Sequence, residues 1–381
     1  MTARTRHASR HEPIAGFTLV ELMVALTAGA FALMAIYSIG ASSARHFQEQ
    51  QRVGTAQTSL RLGLEQLRRD ISRAGYLGVG WSQQAQRCVN PAVPVQAVEI
   101  RDGAETASLP NAGPNGVHAD RLLLTGNYAT ADEYLIVGLD ASGTQARLQS
   151  SWQAFRRSFL LQDGTFHGPS FDAAFEPGRV LRIRTQQGNH FFVTITDRRG
   201  GGGVDPRVTF SPALPVGGAC TGGLADGATV APLSRIEYRV MDLAATGAGA
   251  SLAGRGLVPG AQGPQLVRRE IGFATEAPLA QTERVVLDHV AHFDVDLFAD
   301  VRPVGSATPV LQRFDDVAAQ NLTQGVNRHR VRSVVVNVAT RTPSEDPRLD
   351  PSVGYDVDPL ARGAARIRRA ETEILLPNLV E

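Results

Sequence analysis

The residues with chemical potential in this chain are charged groups rather than nucleophiles. Glu21 is the only charged residue between Phe17 and Ala44, in a run otherwise fit for hydrocarbon. A carboxylate inside a spanning helix costs roughly 2.5–3.5 kcal/mol at its centre and marks a functional group by default. A carboxylate near the membrane surface that snorkels is the plainer alternative. His289 and His292 sit three apart in a strand-like run, so they face opposite sides and share no metal. Asp294, Asp296 and Asp300 fall on one strand face. They lack the turning glycine and the further oxygens of a calcium loop, so a solvated face is expected. Asp356 and Asp358, in a proline-rich loop, read the same way. Arg328, Arg330 and Arg332 alternate, and Arg366, Arg368 and Arg369 follow later. Side by side, the two sets would make a basic stripe for DNA phosphates or another surface. A solvated arginine edge that discourages aggregation is the alternative.

Composition removes whole reaction classes. All 38 basic residues are arginine. Without lysine there is no Walker A loop, no Schiff base and no kinase-type ATP site. G-x-S-x-G, H-E-x-x-H and G-x-G-x-x-G are absent, and Gly75 to Gly80 has the wrong glycine spacing. The two cysteines, Cys88 and Cys220, do not make a zinc set. In an oxidising compartment they could form a disulfide closing about 130 residues, worth at most about 4–5 kcal/mol. Two unrelated thiols are the other option. The expectation is no catalytic residue, no metal, no cofactor and no enzyme. The net charge of +1 gives no bulk attraction to nucleic acid or anionic lipid.

The elements that hold these groups can be laid out from periodicity. Residues 1–16 are short, polar and basic. Residues 17–44 are long and apolar enough to span a bilayer, and the basic leader favours a cytoplasmic start. A secretory signal peptide fits poorly, because its apolar region is shorter and ends at a small-residue cleavage site. A plain membrane anchor explains the length but not Glu21. Residues 45–75 continue as an amphipathic helix, with Leu60, Leu64, Leu67, Ile71 and Ala74 on one stripe. The helix over 17–74 would measure about 87 Å, with Gly29, Gly40, Gly54 and Gly63 as points where it could bend. Strands are expected at 120–125, 133–139, 179–185, 190–196, 206–210, 234–241, 265–271, 284–298, 330–341 and 366–376. Gly200–Gly203 reads as a hairpin loop, and 244–264 and 342–360 as exposed loops.

Two strings carry a family resemblance. Gly16-Phe17-Thr18-Leu19-Val20-Glu21 resembles the processing site of type IV prepilins and pseudopilins. The resemblance implies cleavage by a prepilin peptidase between Gly16 and Phe17 and N-methylation of Phe17. It also implies that Glu21 meets the Phe17 amine of a neighbouring subunit during assembly. Leu67-Arg68-Arg69-Asp70-Ile71-Ser72-Arg73-Ala74-Gly75-Tyr76-Leu77-Gly78 is similar to the string closing the first helix in larger minor pilins of the PilW type. There Gly75 and Gly78 would end the helix and Tyr76 would dock on the core. That family often continues with a cysteine where Val79 stands here. The closing strands, ending Leu376-Pro377-Asn378-Leu379, are loosely similar, with Pro377 in place of an arginine.

The implied fold is pilin-like α+β: a long N-terminal helix packed on an antiparallel sheet, with residues 76–381 forming an enlarged β-rich part that could split into two lobes. The implied function is a minor pilin in pilus initiation or the tip complex, supporting twitching motility, adhesion or DNA uptake. Its partners would be the peptidase, other minor pilins, the major pilin and the inner-membrane assembly platform. It would cross the inner membrane once with its globular part in the periplasm, and then join a surface pilus. The alternative is a J-type pseudopilin of a type II secretion system, with the same N-terminal signal.

Overall fold

The computed structural model describes residues 18–78, 95–200, 205–215, 224, 227–243, 263–303, 308–324, 330–350, 352–360 and 363–379. The chain divides into two compact units, Met1–Thr55 and Ala56–Glu381. Helix α1, Leu19–Ser72, runs unbroken as α-helix through all four of its glycines. In the first unit, the side chains from Thr18 to Gly40 are exposed throughout. This segment is long and apolar enough to cross a membrane.

In the second unit, the α1 stripe enters the core. Leu67, Ile71 and Ala74 are fully buried and Leu60 nearly so, while Leu64 packs against them from the rim. Each large side chain buried in this way contributes about 1.5–3 kcal/mol. Gly63 is a contact rather than a bend, since a Cβ there would lie 2.4 Å from Leu287 Cδ2. The helix ends where Gly75 takes a left-handed φ of +76° and donates its N–H to Thr125 O at 2.8 Å. Tyr76 Oη donates to Ala131 O at 2.9 Å. From the far end of the chain, Asn378 Nδ2 donates to the helix-terminal carbonyls of Ser72 at 2.9 Å and Ala74 at 3.2 Å. Helix ends leave such carbonyls without partners, and this side chain satisfies two of them.

The strands form two antiparallel sheets, one of ten strands, made of two groups that share a strand, and one of four, the third group. The first group has order β1 (Val98–Arg101), β2 (Arg121–Gly126), β8 (Thr229–Met241), β9 (Gln265–Ile271), β10 (Arg284–Leu287). The second comprises β3 (Tyr134–Leu139), β4 (Gln145–Leu148), β5 (Val180–Arg184), β6 (His190–Arg199) and β7 (Arg207–Ser211). It runs β8-β3-β4-β7-β6-β5 and back to β8, so the ladder closes on itself as a small barrel. Strand β8 serves both groups. Its residues 229–233 belong to the barrel and 234–241 to the first sheet. Closure removes the edges that would otherwise template aggregation. The barrel has its own core of Tyr134, Phe155, Phe159, Phe171, Phe175 and Phe210. Three of these come from the short helices α3 (Gln153–Phe159) and α4 (Gly168–Ala174).

The third group is β12 (Leu311–Phe314), β11 (Val290–Asp300), β13 (Val331–Arg341), β14 (Ile367–Leu375). The core face of this sheet carries Phe293, Val295, Leu297, Val334, Val336, Val338 and Ile374, which join the α1 stripe in one cluster. Helix α2 spans Ala112–Asn115, and α5 spans Asp316–Gln324 beside β1 and β11. All ten expected strands are present, with one correction. The run 284–298 is two strands, because His289 adopts φ +52° and turns the chain between β10 and β11. The 342–360 loop is anchored, since Tyr355 is fully buried and donates its hydroxyl to Pro110 O at 2.6 Å. The expected loop at 244–264 falls mostly outside the described residues, as do residues 201–203 of the hairpin loop.

Candidate functional site

The start of α1 is built by its own sequence. Thr18 Oγ1 accepts the Glu21 backbone N–H at 3.2 Å, and Glu21 Oε2 accepts the Thr18 backbone N–H at 2.9 Å. The Thr18 hydroxyl also donates to Glu21 Oε2 at 2.9 Å. This is a capping box, a threonine at the cap and a glutamate three residues on, closing two orphan donors reciprocally. Thr18-Leu19-Val20-Glu21 spelled it in the sequence. Glu21 thus caps the first turn while its side chain stays exposed. Gly16 and Phe17 lie outside the described residues, as do Cys88 and Cys220.

At the other end of α1, Asp70 ties the helix to the sheet beneath it. It is 4% exposed. Its Oδ2 accepts from Tyr238 Oη at 2.7 Å and from Arg268 Nε at 2.5 Å, and its Oδ1 from Gln66 at 3.2 Å. Tyr128 Oη donates to the Asp70 carbonyl at 2.8 Å. Burial, and then the negative charge of Asp70, hold the phenols of Tyr128 and Tyr238 far above their ordinary range, so both remain donors. Asp70 falls off the apolar stripe. Its place in the Leu67-to-Gly78 string was the signal that it mattered.

A second polar cluster joins β11 to the segment before β2. An isolated parallel bridge pairs Ala119 with Phe293. It sets two His-x-Asp triplets in register, His118–Asp120 beside His292–Asp294. His118 Nε2 lies 3.1 Å from Asp294 Oδ1, 3.7 Å from Asp316 Oδ1 and 3.9 Å from Asp120 Oδ1. Asp120 is 1% exposed, and its oxygens accept the N–H groups of Gly103 at 2.8 Å and Val295 at 2.9 Å. The bond to Asp294 raises His118 to about 9, and burial pushes Asp120 up to about 7. Two sets, His118–Asp120–Asp294 and Asp102–His118–Asp316, have donor atoms close enough to share one cation. A protonated His118 between the carboxylates supplies the same neutralisation. The signal for the cluster was the repeated His-x-Asp spacing in two distant segments.

The expected solvated face of β11 is corrected. Asp296 and Asp300 are each 3% exposed, and Asp294 is half-buried. Arginines cover that face. Arg313 of β12 bonds Asp296 at 2.9 Å, and Arg302 pairs with Asp300 at 3.0 Å. His289 and His292 do not share one strand, since His289 stands in the turn before β11 and His292 on β11 itself. Asp356 works through its backbone, its N–H donating to Asn115 Oδ1 at 2.9 Å. The Asp358 N–H likewise donates to Glu345 Oε1 at 3.1 Å. The arginines do not merge into one stripe. β13 and β14 are neighbours, but Thr340 opposes Arg368 while Ser333 opposes Leu375. Arg332 therefore sits eight residues along β13 from the partner of Arg368, about 26 Å away at strand rise. Arg366 pairs with Asp346 at 3.1 Å, and Arg328 lies outside the described residues. A cavity of about 620 Å³ beside β1 and β8 is charge-balanced. There Arg101 and Arg235 are matched by Glu99 and Glu276.

One titration has a clear consequence. His190 is 2% exposed and its Nδ1 finds no hydrogen-bond partner. Burial, with Arg182 and Arg184 nearby, pulls its pKa down to about 4. The unfolded chain, titrating near 6.5, takes up the proton first. This contribution is complete above about pH 6.5 and is lost as pH falls towards 4, a change of roughly 3 kcal/mol. Across that window the urea midpoint of the parent chain should therefore drop relative to that of His190→Gln. Equal slopes would exclude this role for His190.

Protein-family models, curated proteins and solved structures give no match to this chain.

Proposed function

We propose that the chain is a type IV pilin-like filament subunit, a minor pilin of the PilW type that is cut after Gly16 and assembles through α1. The observation that carries the reading is Glu21, a lone carboxylate one turn into an apolar helix whose side chains are exposed from Thr18 to Gly40. An apolar surface of that size needs a solvent or a partner, first lipid and then the helices of other subunits. Cleavage would place a new amine at Phe17, four residues before Glu21. In a staggered bundle the carboxylate of one subunit meets the amine of the next, and only the register that pairs them avoids a charge in hydrocarbon. The Asp70 hub and the Asn378 cap support the same reading, because both fix the end of α1 to the globular fold, and a subunit assembled through its helix needs such an attachment. Within this reading no residue performs catalysis.

The test is deletion of the gene in its host, with surface filaments counted by electron microscopy. Loss of pili, restored by the parent gene but not by a copy lacking residues 17–44, is expected. Normal pili with loss of secreted enzymes would move the assignment to a J-type pseudopilin. Normal pili and normal secretion would overturn it.

A further inference from the structure

The four-stranded sheet ends on one side in β14, and no strand pairs with its outer side among the described residues. Tyr355 covers that side only at Ala365, through a two-way backbone pair of 2.9 Å each. From Ile367 onward no described residue pairs with that backbone edge. On the face away from the core, Arg369, Glu371, Glu373 and Leu375 are all exposed. Arg369 has no ion-pair partner among the described residues, and Glu371 reaches only Arg313, at 3.1 Å.

Exposed edges are usually blunted with charge scattered along them. Here the signs are segregated, Arg368 and Arg369 first, Glu371 and Glu373 after. Parallel in-register stacking would set like against like. Antiparallel pairing with a second copy sets opposite charges together. Keeping the two outer faces on one side requires the two-fold axis to pass through a residue position. An axis at Glu371 would oppose that carboxylate to itself. An axis at Ala370 opposes Arg369 to Glu371 twice and sets no like charges together. We propose that β14 is a homotypic association edge, through which two copies pair antiparallel about Ala370 into one continuous sheet. The open stretch fits, since Ala365 and its Tyr355 cover fall just beyond the pairing. Opposite charges directly across two strands each contribute modestly, and like charges there oppose pairing by a similar amount. The contact is therefore a weak one that charge reversal can abolish. The inference goes beyond the filament reading, and its test needs no pili.

The experiment uses the full chain in detergent micelles, carrying Ala370→Cys and mildly oxidised, because the half-buried side chains at 370 would face each other across the seam within disulfide distance. Mass spectrometry identifies the link, because Cys88 and Cys220 also bear thiols, and Ser352→Cys on an exposed loop serves as the control. A 370–370 link is expected, with none at 352. Adding Arg369→Glu or Glu371→Arg alone should cut the link roughly tenfold. Mixing those two charge-reversed chains, differently tagged, should restore it between them, since each then supplies the sign the other lacks. The mixing result also shows that both variants fold. Absence of the 370–370 link, indifference to both reversals, or failure of the mixture to recover it would overturn the proposal.

Discussion

Glu21→Gln is expected to be processed normally after Gly16 yet to enter filaments on the order of a hundredfold less well than the parent chain. Glutamine can take the place of glutamate in a capping box, so the first turn of α1 keeps its closure. What the substitution removes is the charge. An unmatched amine in hydrocarbon then costs about 2.5–3.5 kcal/mol, and 1.4 kcal/mol is about tenfold in an equilibrium. Thr18→Ala separates the two tasks from the other side. It removes the two bonds of the Thr18 hydroxyl, seen at 2.9 and 3.2 Å, and leaves the carboxylate with its bond from the Thr18 backbone N–H. Losing a cap costs about 1 kcal/mol of helix stability, so assembly should change only slightly. Quantitative immunoblots of sheared filaments against total cell protein decide it. Parent-like incorporation of Glu21→Gln, or an equal loss in Thr18→Ala, would leave Glu21 a helix cap and nothing more.

Asp70→Ala should be the most damaging single change in the globular unit, lowering stability by about 3–5 kcal/mol. The carboxylate is 4% exposed and takes donors from Tyr238 and Arg268. Its removal leaves the Arg268 guanidinium, 17% exposed, without its counter-charge and a buried phenol without its acceptor. Both are costlier than losing the bond itself. Asp70→Asn keeps an acceptor for Tyr238 and should fall between Asp70→Ala and the parent. The neighbouring Arg68→Ala, on the exposed side of α1, should lie within about 0.5 kcal/mol of the parent. Urea unfolding followed by tyrosine and tryptophan fluorescence ranks the set. An Asp70→Ala chain as stable as Arg68→Ala would remove the hub.

The long elements were legible and the closures were not. The stripe through Leu60, Leu67, Ile71 and Ala74 names the buried face of α1, because helical period over four turns is a strong signal. The Val334–Val338 alternation gives β13 for the same reason. Strands β1, β4 and β12 have four residues each and show too few periods to separate from loop. Helices α3 and α4, two turns each, hide in the same way, although their phenylalanines fill the barrel. Barrel closure rests on Val230 pairing with Tyr134 on one side and Ile183 on the other. Nothing local to Val230 announces that. The His118 cluster failed for a related reason, since each His-x-Asp triplet looks like an ordinary strand fragment until Ala119 and Phe293 are bridged. Asp294 and Asp296 looked solvated because Arg313, which covers Asp296, comes from one of the strands too short to see. Glu21 was legible as an anomaly. Its capping partner Thr18 stood three residues away, in a string whose resemblance drew attention to cleavage first.

The whole reading rests on a subunit that keeps its greasy helix and sheds the residues before it. Intact mass and N-terminal peptide sequencing of the chain purified from its host membranes test this most directly. A chain beginning at Phe17, heavier there by one methyl group, is the expected result. A protein still carrying residues 1–16, or one starting beyond Ala44, would contradict it.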